Sequence, residues 1–169
     1  KWCKLPRLDG LARRKASEER LSKRWPRAAV SSAISPPRMH VGLFGGSFNP
    51  QHLGHLVVAE ALREACGLDR VIWMVAAKPP HKIGADLAPP EDRLEMTHRA
   101  IAGHPHFVVS DLEVRRAAEK GGPSYTVDTI RQLTAALPHV RWSLLVGEDS
   151  LAAFHTWRAP DEILSMADL

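Results

Sequence analysis

The stretch VGLFGGSFNPQHLGHLVVAEALREACG, residues 41–67, decides the fold. Its first four residues form a short apolar run followed by Gly45 and Gly46, which predicts a buried strand that ends at a tight turn. From His55 to Cys66 apolar residues recur at helical spacing, and Gly67 stands where a helix C-cap is expected. Strand, glycine turn and helix in this order are the opening of an α/β unit.

The same alternation continues along the chain. Apolar runs at 71–77, 107–114 and 142–146 predict strands, and Pro89-Pro90-Glu91 opens a predicted helix. Ser124 is a plausible N-cap for a further helix, and residues 161–168 begin another. Strands that are apolar on both faces need helices on both sides, so the predicted fold is a doubly wound parallel sheet.

The net charge of +4 is distributed unevenly. Residues 1–38 contain eleven Lys or Arg and three Asp or Glu, whereas residues 39–169 contain twelve and sixteen. The first segment lacks the apolar content needed to order itself, so it is predicted to be a basic, mostly disordered extension. Residues 39–169 are the predicted folded domain, and Met39 is the expected functional start.

Several classes of protein are disfavoured by composition. The chain contains no apolar run of 18 residues and no secretory signal, so we expect a cytoplasmic protein without a membrane partner. Cys3 and Cys66 form neither a zinc motif nor a disulfide framework. The basic character lies in the extension, so nucleic acid is not the expected partner, while a homo-oligomer stays open.

Ligands of doubly wound sheets bind beyond the carboxyl ends of the strands, where this chain places glycines and histidines. Gly45 and Gly46 allow backbone amides to approach a phosphate, and the helix that begins near Gly54 directs its free amides there. His52 and His55 are three residues apart at this helix entrance, so both rings can face one ligand. Phosphate contact is the prediction, with metal ligation or packing as alternatives.

The string GSFNPQHLGH, residues 46–55, contains H-x-G-H and resembles the nicotinate mononucleotide adenylyltransferase branch of the nucleotidyltransferase superfamily. Three further strings are similar to motifs of that branch: PHK (80–82), SYTVDT (124–129), and GED (147–149) followed by Trp157-Arg158. The resemblance implies a Rossmann-like nucleotidyltransferase fold. Without it, Lys82 would belong to an ordinary solvated loop and Trp157 to ordinary packing.

The resemblance implies roles for individual residues. The expected catalytic residues are His52, His55 and Lys82. The expected ATP-binding residues are Gly45, Gly46, Ser47, Phe48, His52, His55, Gly147 and Asp149. The expected acceptor-binding residues are Asn49, Lys82, Ser124, Tyr125, Thr126, Trp157 and Arg158, with the Thr126 amide receiving the pyridine carboxylate and Trp157 stacking on the ring.

The implied reaction joins the AMP part of ATP to nicotinate mononucleotide. Charge balance implies Mg²⁺, and no protein metal ligands are expected because no carboxylate cluster resembles a metal cage. Members of the branch continue with an I-S-S-T-x-x-R-type segment that is absent here, so the domain is expected to be C-terminally incomplete. The alternatives are a pantetheine-phosphate adenylyltransferase and a non-catalytic nucleotide-binding protein.

Overall fold

The computed structural model describes residues 39–169 apart from residues 83 and 85, so the predicted extension at 1–38 lies outside the described residues. Four parallel strands form one sheet in the order β3-β2-β1-β4. The strands are β1 (His40–Gly46), β2 (Arg70–Val75), β3 (Phe107–Ser110) and β4 (Arg141–Leu145). The predicted parallel α/β sheet is therefore confirmed.

Helices connect the strands and cover both faces of the sheet. They are α1 (Leu53–Ala65), α2 (Pro90–Ala100), α3 (Leu112–Lys120), α4 (Thr126–Ala136), α5 (Glu148–Ala152) and α6 (Pro160–Met166). Short 3₁₀ turns lie at Pro80–Lys82 and Phe154–Thr156. Gly67, directly after the C-cap of α1, has φ +61°, the left-handed conformation that glycine adopts most easily.

The core has two layers because side chains alternate across each strand. On one face Phe44 and Trp73 pack with Ala59 of α1. On the other face Leu43 packs with Ile130 of α4 and Ile163 of α6. Helices on opposite faces leave the carboxyl ends of the strands uncovered, which is where a ligand can enter.

The boundaries of β3 and α4 differ from prediction. The predicted strand at 107–114 ends at Ser110, and residues 112–120 form α3 instead. The apolar alternation misleads here because Val114 is buried on a helix and Glu113 is buried beside Thr129 of α4. Ser124 does not cap α4, whose N-cap is Tyr125. The Ser124 hydroxyl instead accepts a hydrogen bond from the Lys78 amide at 3.4 Å.

The strand that opens the domain is longer than predicted. β1 extends through Gly45 and Gly46, so these glycines belong to the strand and not to a turn. Cys66 is an exposed free thiol. No helix within the described part of the chain is long and apolar enough to cross a membrane.

Candidate active site

A cavity of about 800 Å³ lies at the carboxyl end of the sheet, beyond β1, β2 and β4. This volume is in the range typical of small-molecule sites. The structure brings nearly all the predicted site residues to its wall. They are Gly45, Gly46, Ser47, Phe48, Asn49, His52, His55, Lys82, Ser124, Tyr125, Thr126, Gly147, Trp157 and Arg158.

Asp149 is the predicted site residue that the structure does not bring to this wall. It is exposed in the first turn of α5, whereas Gly147 and Ser150 line the cavity. Successive helical residues point about 100° apart, so the turn that directs Ser150 inward directs Asp149 elsewhere.

The two histidines meet at the start of α1. His52 is the N-cap residue and His55 lies in the first turn, with their ring centroids 3.9 Å apart. The Nδ1 atom of His55 accepts a hydrogen bond from the His52 amide at 3.1 Å. Because Nδ1 is an acceptor, the neutral ring has its proton on Nε2, which makes Nε2 a donor for a ligand.

The residue between the histidines allows this arrangement. A Cβ atom on Gly54 would lie 3.1 Å from both Cε1 and Nδ1 of His52, which is tighter than ordinary contact. Glycine at this position of H-x-G-H therefore leaves room for the His52 ring at the helix entrance.

His55 is held in a partly apolar setting. Its ring packs edge-on against Phe48, with centroids 5.4 Å apart, and lies 6.1 Å from Phe44. Burial lowers the pKa of His55, and the positive potential of His52 and Lys82 lowers it further. Near neutral pH His55 is therefore an uncharged donor rather than an imidazolium.

The buried side chain of Phe48 holds the loop that lines the site. Its side chain is 3% exposed and packs against Phe44 and Trp73 at centroid distances of 5.6 and 5.1 Å. Its φ of +45° is unusual for a residue other than glycine. The burial indicates that the side chain of this predicted ATP-binding residue holds the loop, while its backbone lines the cavity.

Lys82 lies where the sequence predicts a phosphate ligand. Its ammonium group donates to the Ser47 hydroxyl at 2.9 Å, which joins the loop after β2 to the loop after β1. Asn49 is bound to the neighbouring loop, because its side-chain oxygen accepts from the Ala88 amide at 2.9 Å. These two contacts close the cavity on the side of α2.

Tyr125, Thr126, Trp157 and Arg158, four of the predicted acceptor-binding residues, form another part of the cavity wall. Thr126 is the first residue of α4, so its amide has no carbonyl partner within the helix. The Arg158 guanidinium lies 4.8 Å above the Tyr125 ring, and its Nη1 atom lies 3.8 Å from Asp128. The Trp157 ring packs on Phe154, with centroids 5.3 Å apart.

His81 is a wall residue that the sequence analysis left without a role. Its ring centroid lies 6.5 Å from that of Trp157, and the two planes are inclined by 34°. His81 and Trp157 therefore lie near each other in the cavity wall. The position of His81 in PHK was the available signal.

Glu113 is a second cavity residue that sequence reasoning missed. It is buried, and its Oε1 accepts a 2.6 Å hydrogen bond from the Thr129 hydroxyl. Burial raises the pKa of Glu113, while hydrogen bonds from Thr129 and Ser124 and the charge of Arg116 oppose the rise. The only sequence signal was an acidic residue at an apparently apolar position.

The cavity wall contains four residues of types that ligate metals, namely His52, His55, His81 and Glu113. Residues 39–169, without 83 and 85, contain no group of three His, Cys, Asp or Glu side chains that could hold an ion.

Fold and site together define an α/β nucleotidyltransferase-type domain with paired histidines at a helix start. The model of the cytidylyltransferase-like family matches residues 43–169, so the chain belongs to that family. The names of its curated relatives indicate one branch of that family. It is 50% identical over 125 residues to the "Probable nicotinate-nucleotide adenylyltransferase" of Salinibacter ruber, covering 74% of this chain and 62% of that protein.

A second relative supports the same branch. The protein of that name from Thermus thermophilus is 45% identical over 131 residues, which cover 78% of this chain and 67% of the relative. The predicted resemblance to nicotinate mononucleotide adenylyltransferases is thereby confirmed. The chain spans about three fifths of the length of the Salinibacter protein.

Solved structures agree on the fold. The nicotinic acid mononucleotide adenylyltransferase of Plasmodium falciparum, complexed with NaAD, matches with a TM-score of 0.62 and 16% identity. The match covers 73% of this chain and 59% of that one. At this identity the likeness concerns the fold alone.

Proposed function

We propose that the protein transfers the adenylyl group of ATP to nicotinate mononucleotide, giving nicotinate adenine dinucleotide and pyrophosphate in NAD biosynthesis. The observation that supports this most is one cavity lined by two different kinds of group. The start of α1 with His52 and His55 forms one part of its wall, and Trp157 with the helix-start amide of Thr126 forms another. The names of the relatives point to the same reaction.

The proposed reaction needs no protein nucleophile. A phosphate oxygen of nicotinate mononucleotide attacks the α-phosphorus of ATP and forms a new P–O bond. The bond from that phosphorus to the oxygen that bridges to the β-phosphorus breaks, and pyrophosphate leaves with the electron pair. The protein must hold two anions close together and stabilise the charge that develops between them.

The phosphates are proposed to lie at the start of α1. The Nε2 proton of neutral His55, the His52 ring and the helix amides would donate to phosphate oxygens. Lys82, already turned toward Ser47, would add positive charge from the opposite side. Mg²⁺ is proposed to enter with the triphosphate, where it would neutralise phosphate charge.

The acceptor is proposed to lie at the part of the cavity wall formed by Trp157 and Thr126. The pyridine ring would stack on Trp157, and the Thr126 amide would receive the ring carboxylate. Arg158 lies beside the same wall as a partner for an anionic group. A backbone donor at this point favours a carboxylate over an amide. The proposed acceptor is therefore nicotinate mononucleotide and not nicotinamide mononucleotide.

Residues 39–169 are proposed as the nucleotidyltransferase domain, with ATP and nicotinate mononucleotide as its ligands. Gly147, Asp149 and the backbone of Phe48 stay proposed nucleotide contacts, with Asn49, Ser124 and Tyr125 on the acceptor side. The cytoplasmic location and a homo-oligomeric state stay predictions.

Product analysis tests the proposal. The chain is incubated with ATP, Mg²⁺ and nicotinate mononucleotide, and ³¹P NMR follows the α-phosphorus as it enters a new diphosphate. Matched reactions contain nicotinamide mononucleotide or phosphopantetheine. A product with phosphopantetheine alone would establish the pantetheine-phosphate alternative, and ATP binding without any product would establish the non-catalytic one.

A further inference from the structure

Arg93 of α2 is a buried cation behind the wall of the cavity. Its side chain is 1% exposed, and its guanidinium donates to four backbone carbonyl oxygens. Nε donates to Ala88 at 2.8 Å, and Nη1 donates to Ser47 at 2.7 Å and to Ala76 at 2.8 Å. Nη2 donates to Ala77 at 3.0 Å.

These carbonyls belong to three separate segments at the open end of the sheet. Ser47 follows β1, Ala76 and Ala77 follow β2, and Ala88 precedes α2. One planar guanidinium therefore fixes the positions of the two strand-end loops relative to each other. It also fixes the position of Ser47, whose hydroxyl accepts a hydrogen bond from the Lys82 ammonium at 2.9 Å.

The charge of Arg93 is not neutralised by a carboxylate within the described residues. Its ion-pair distance to any Asp or Glu there exceeds 4 Å, and Glu91 acts on it only at longer range. Carbonyls satisfy its hydrogen bonds but carry no net charge. A buried arginine stays protonated, so a full positive charge lies behind Ser47 and Ala76 in the cavity wall.

A buried charge without a counter-ion is costly, and an anion bound in the adjacent cavity would offset part of that cost. We propose that Arg93 is a positioning residue for a polyphosphate: it sets the geometry of Ser47 and Lys82, and its charge favours the most highly charged ligand. The identity of that ligand as the triphosphate of ATP rests on the function proposed above. Arg93 does not line the cavity and therefore acts through its neighbours.

The test compares Arg93→Gln and Arg93→Lys with a control on the same helix. Arg99→Gln is that control, since the Arg99 side chain is 78% exposed and pairs with Glu95 one turn away. Dissociation constants for Mg·ATP, pyrophosphate and AMP are measured by calorimetry on the full chain, together with the melting temperature without ligand.

The positive charge of Arg93 predicts different effects on pyrophosphate binding and on AMP binding. Arg93→Gln should weaken pyrophosphate binding by about tenfold or more, the change that ~1.4 kcal/mol represents, and should weaken AMP binding clearly less. Arg93→Lys keeps the charge but cannot span four carbonyls, so it should weaken pyrophosphate and AMP by a similar factor of about three. Arg99→Gln should bind both ligands as the wild type does.

A purely structural role predicts a different pattern. It lowers the melting temperature of Arg93→Gln and leaves the ratio of pyrophosphate to AMP affinity unchanged, which would overturn the proposal. If Arg93→Gln does not fold, Arg93→Lys provides the test. An unchanged pyrophosphate affinity in Arg93→Lys would also overturn the proposal. Failure of the wild type to bind Mg·ATP would instead reject the proposed function.

Discussion

Two adjacent glycines offer the sharpest test of the site geometry, because the structure assigns them opposite roles. Gly45 and Gly46 are consecutive residues of β1, so their hydrogens point to opposite faces of the strand. A Cβ atom on Gly46 would lie 2.8 and 2.9 Å from Cε1 and Cζ of Phe48. A Cβ atom on Gly45, which also lines the cavity, would meet nothing within 4 Å.

The magnitude for Gly46→Ala follows from these contacts. Phe48 is buried and packed against Trp73 and His55, so its ring cannot move away freely. Overpacking of this kind costs about 1–3 kcal/mol, and alanine in a strand recovers about 0.5–1 kcal/mol of backbone entropy. The midpoints of these ranges leave a net loss of about 1 kcal/mol, or a fall in melting temperature of about 2–4 °C.

Gly45→Ala is the matched variant. Without a clash it should be as stable as the wild type or more stable by about 0.5–1 kcal/mol. Its methyl group occupies the space through which a phosphate would approach the backbone, so affinity for Mg·ATP should fall by about tenfold or more. Calorimetric melting and binding titrations separate the two effects. Equal loss of stability in both variants, or a wild-type melting temperature for Gly46→Ala, would refute the geometry.

Three further outcomes are expected. Because burial raises the pKa of Glu113 above its ordinary 4.5, the stability it contributes is present below that value and is lost as pH rises through the folded pKa. Glu113→Gln should therefore raise the melting temperature at pH 8 but not at pH 4; equal shifts would contradict this. His81→Ala should raise KM for nicotinate mononucleotide by about tenfold without changing KM for ATP, since it removes a ring that lies near Trp157 in the cavity wall. His55→Ala should lower kcat by about 10²–10³-fold while leaving the circular dichroism spectrum unchanged, and wild-type turnover would exclude a phosphate role.

Local sequence determined the first unit of the fold well. The apolar run before Gly45, the helical spacing after His52 and the C-cap at Gly67 are properties of neighbouring residues, and β1 and α1 follow them closely. The glycines and histidines at the cavity wall were predicted because parallel strands end at one edge, whereas Lys82 and Trp157 were assigned through the family resemblance.

The errors concern residues whose partners are distant in sequence. The helix after β3 was missed because Phe107 to Val114 alternates like a strand, and Glu113 is satisfied by Thr129, 16 residues away. Arg93 could not be assigned, since its nearest carbonyls include Ser47, 46 residues earlier. Its one local signal was its position four residues before Thr97, on the buried face of α2.

Pyrophosphate release by the full chain tests the central claim most directly. ATP and Mg²⁺ are supplied with nicotinate mononucleotide, nicotinamide mononucleotide or phosphopantetheine, and the Salinibacter ruber relative serves as a positive control. Release should be fastest with nicotinate mononucleotide and should be lost in His55→Ala. No release with any acceptor under conditions in which the relative turns over, or fastest release with phosphopantetheine, would contradict the claim.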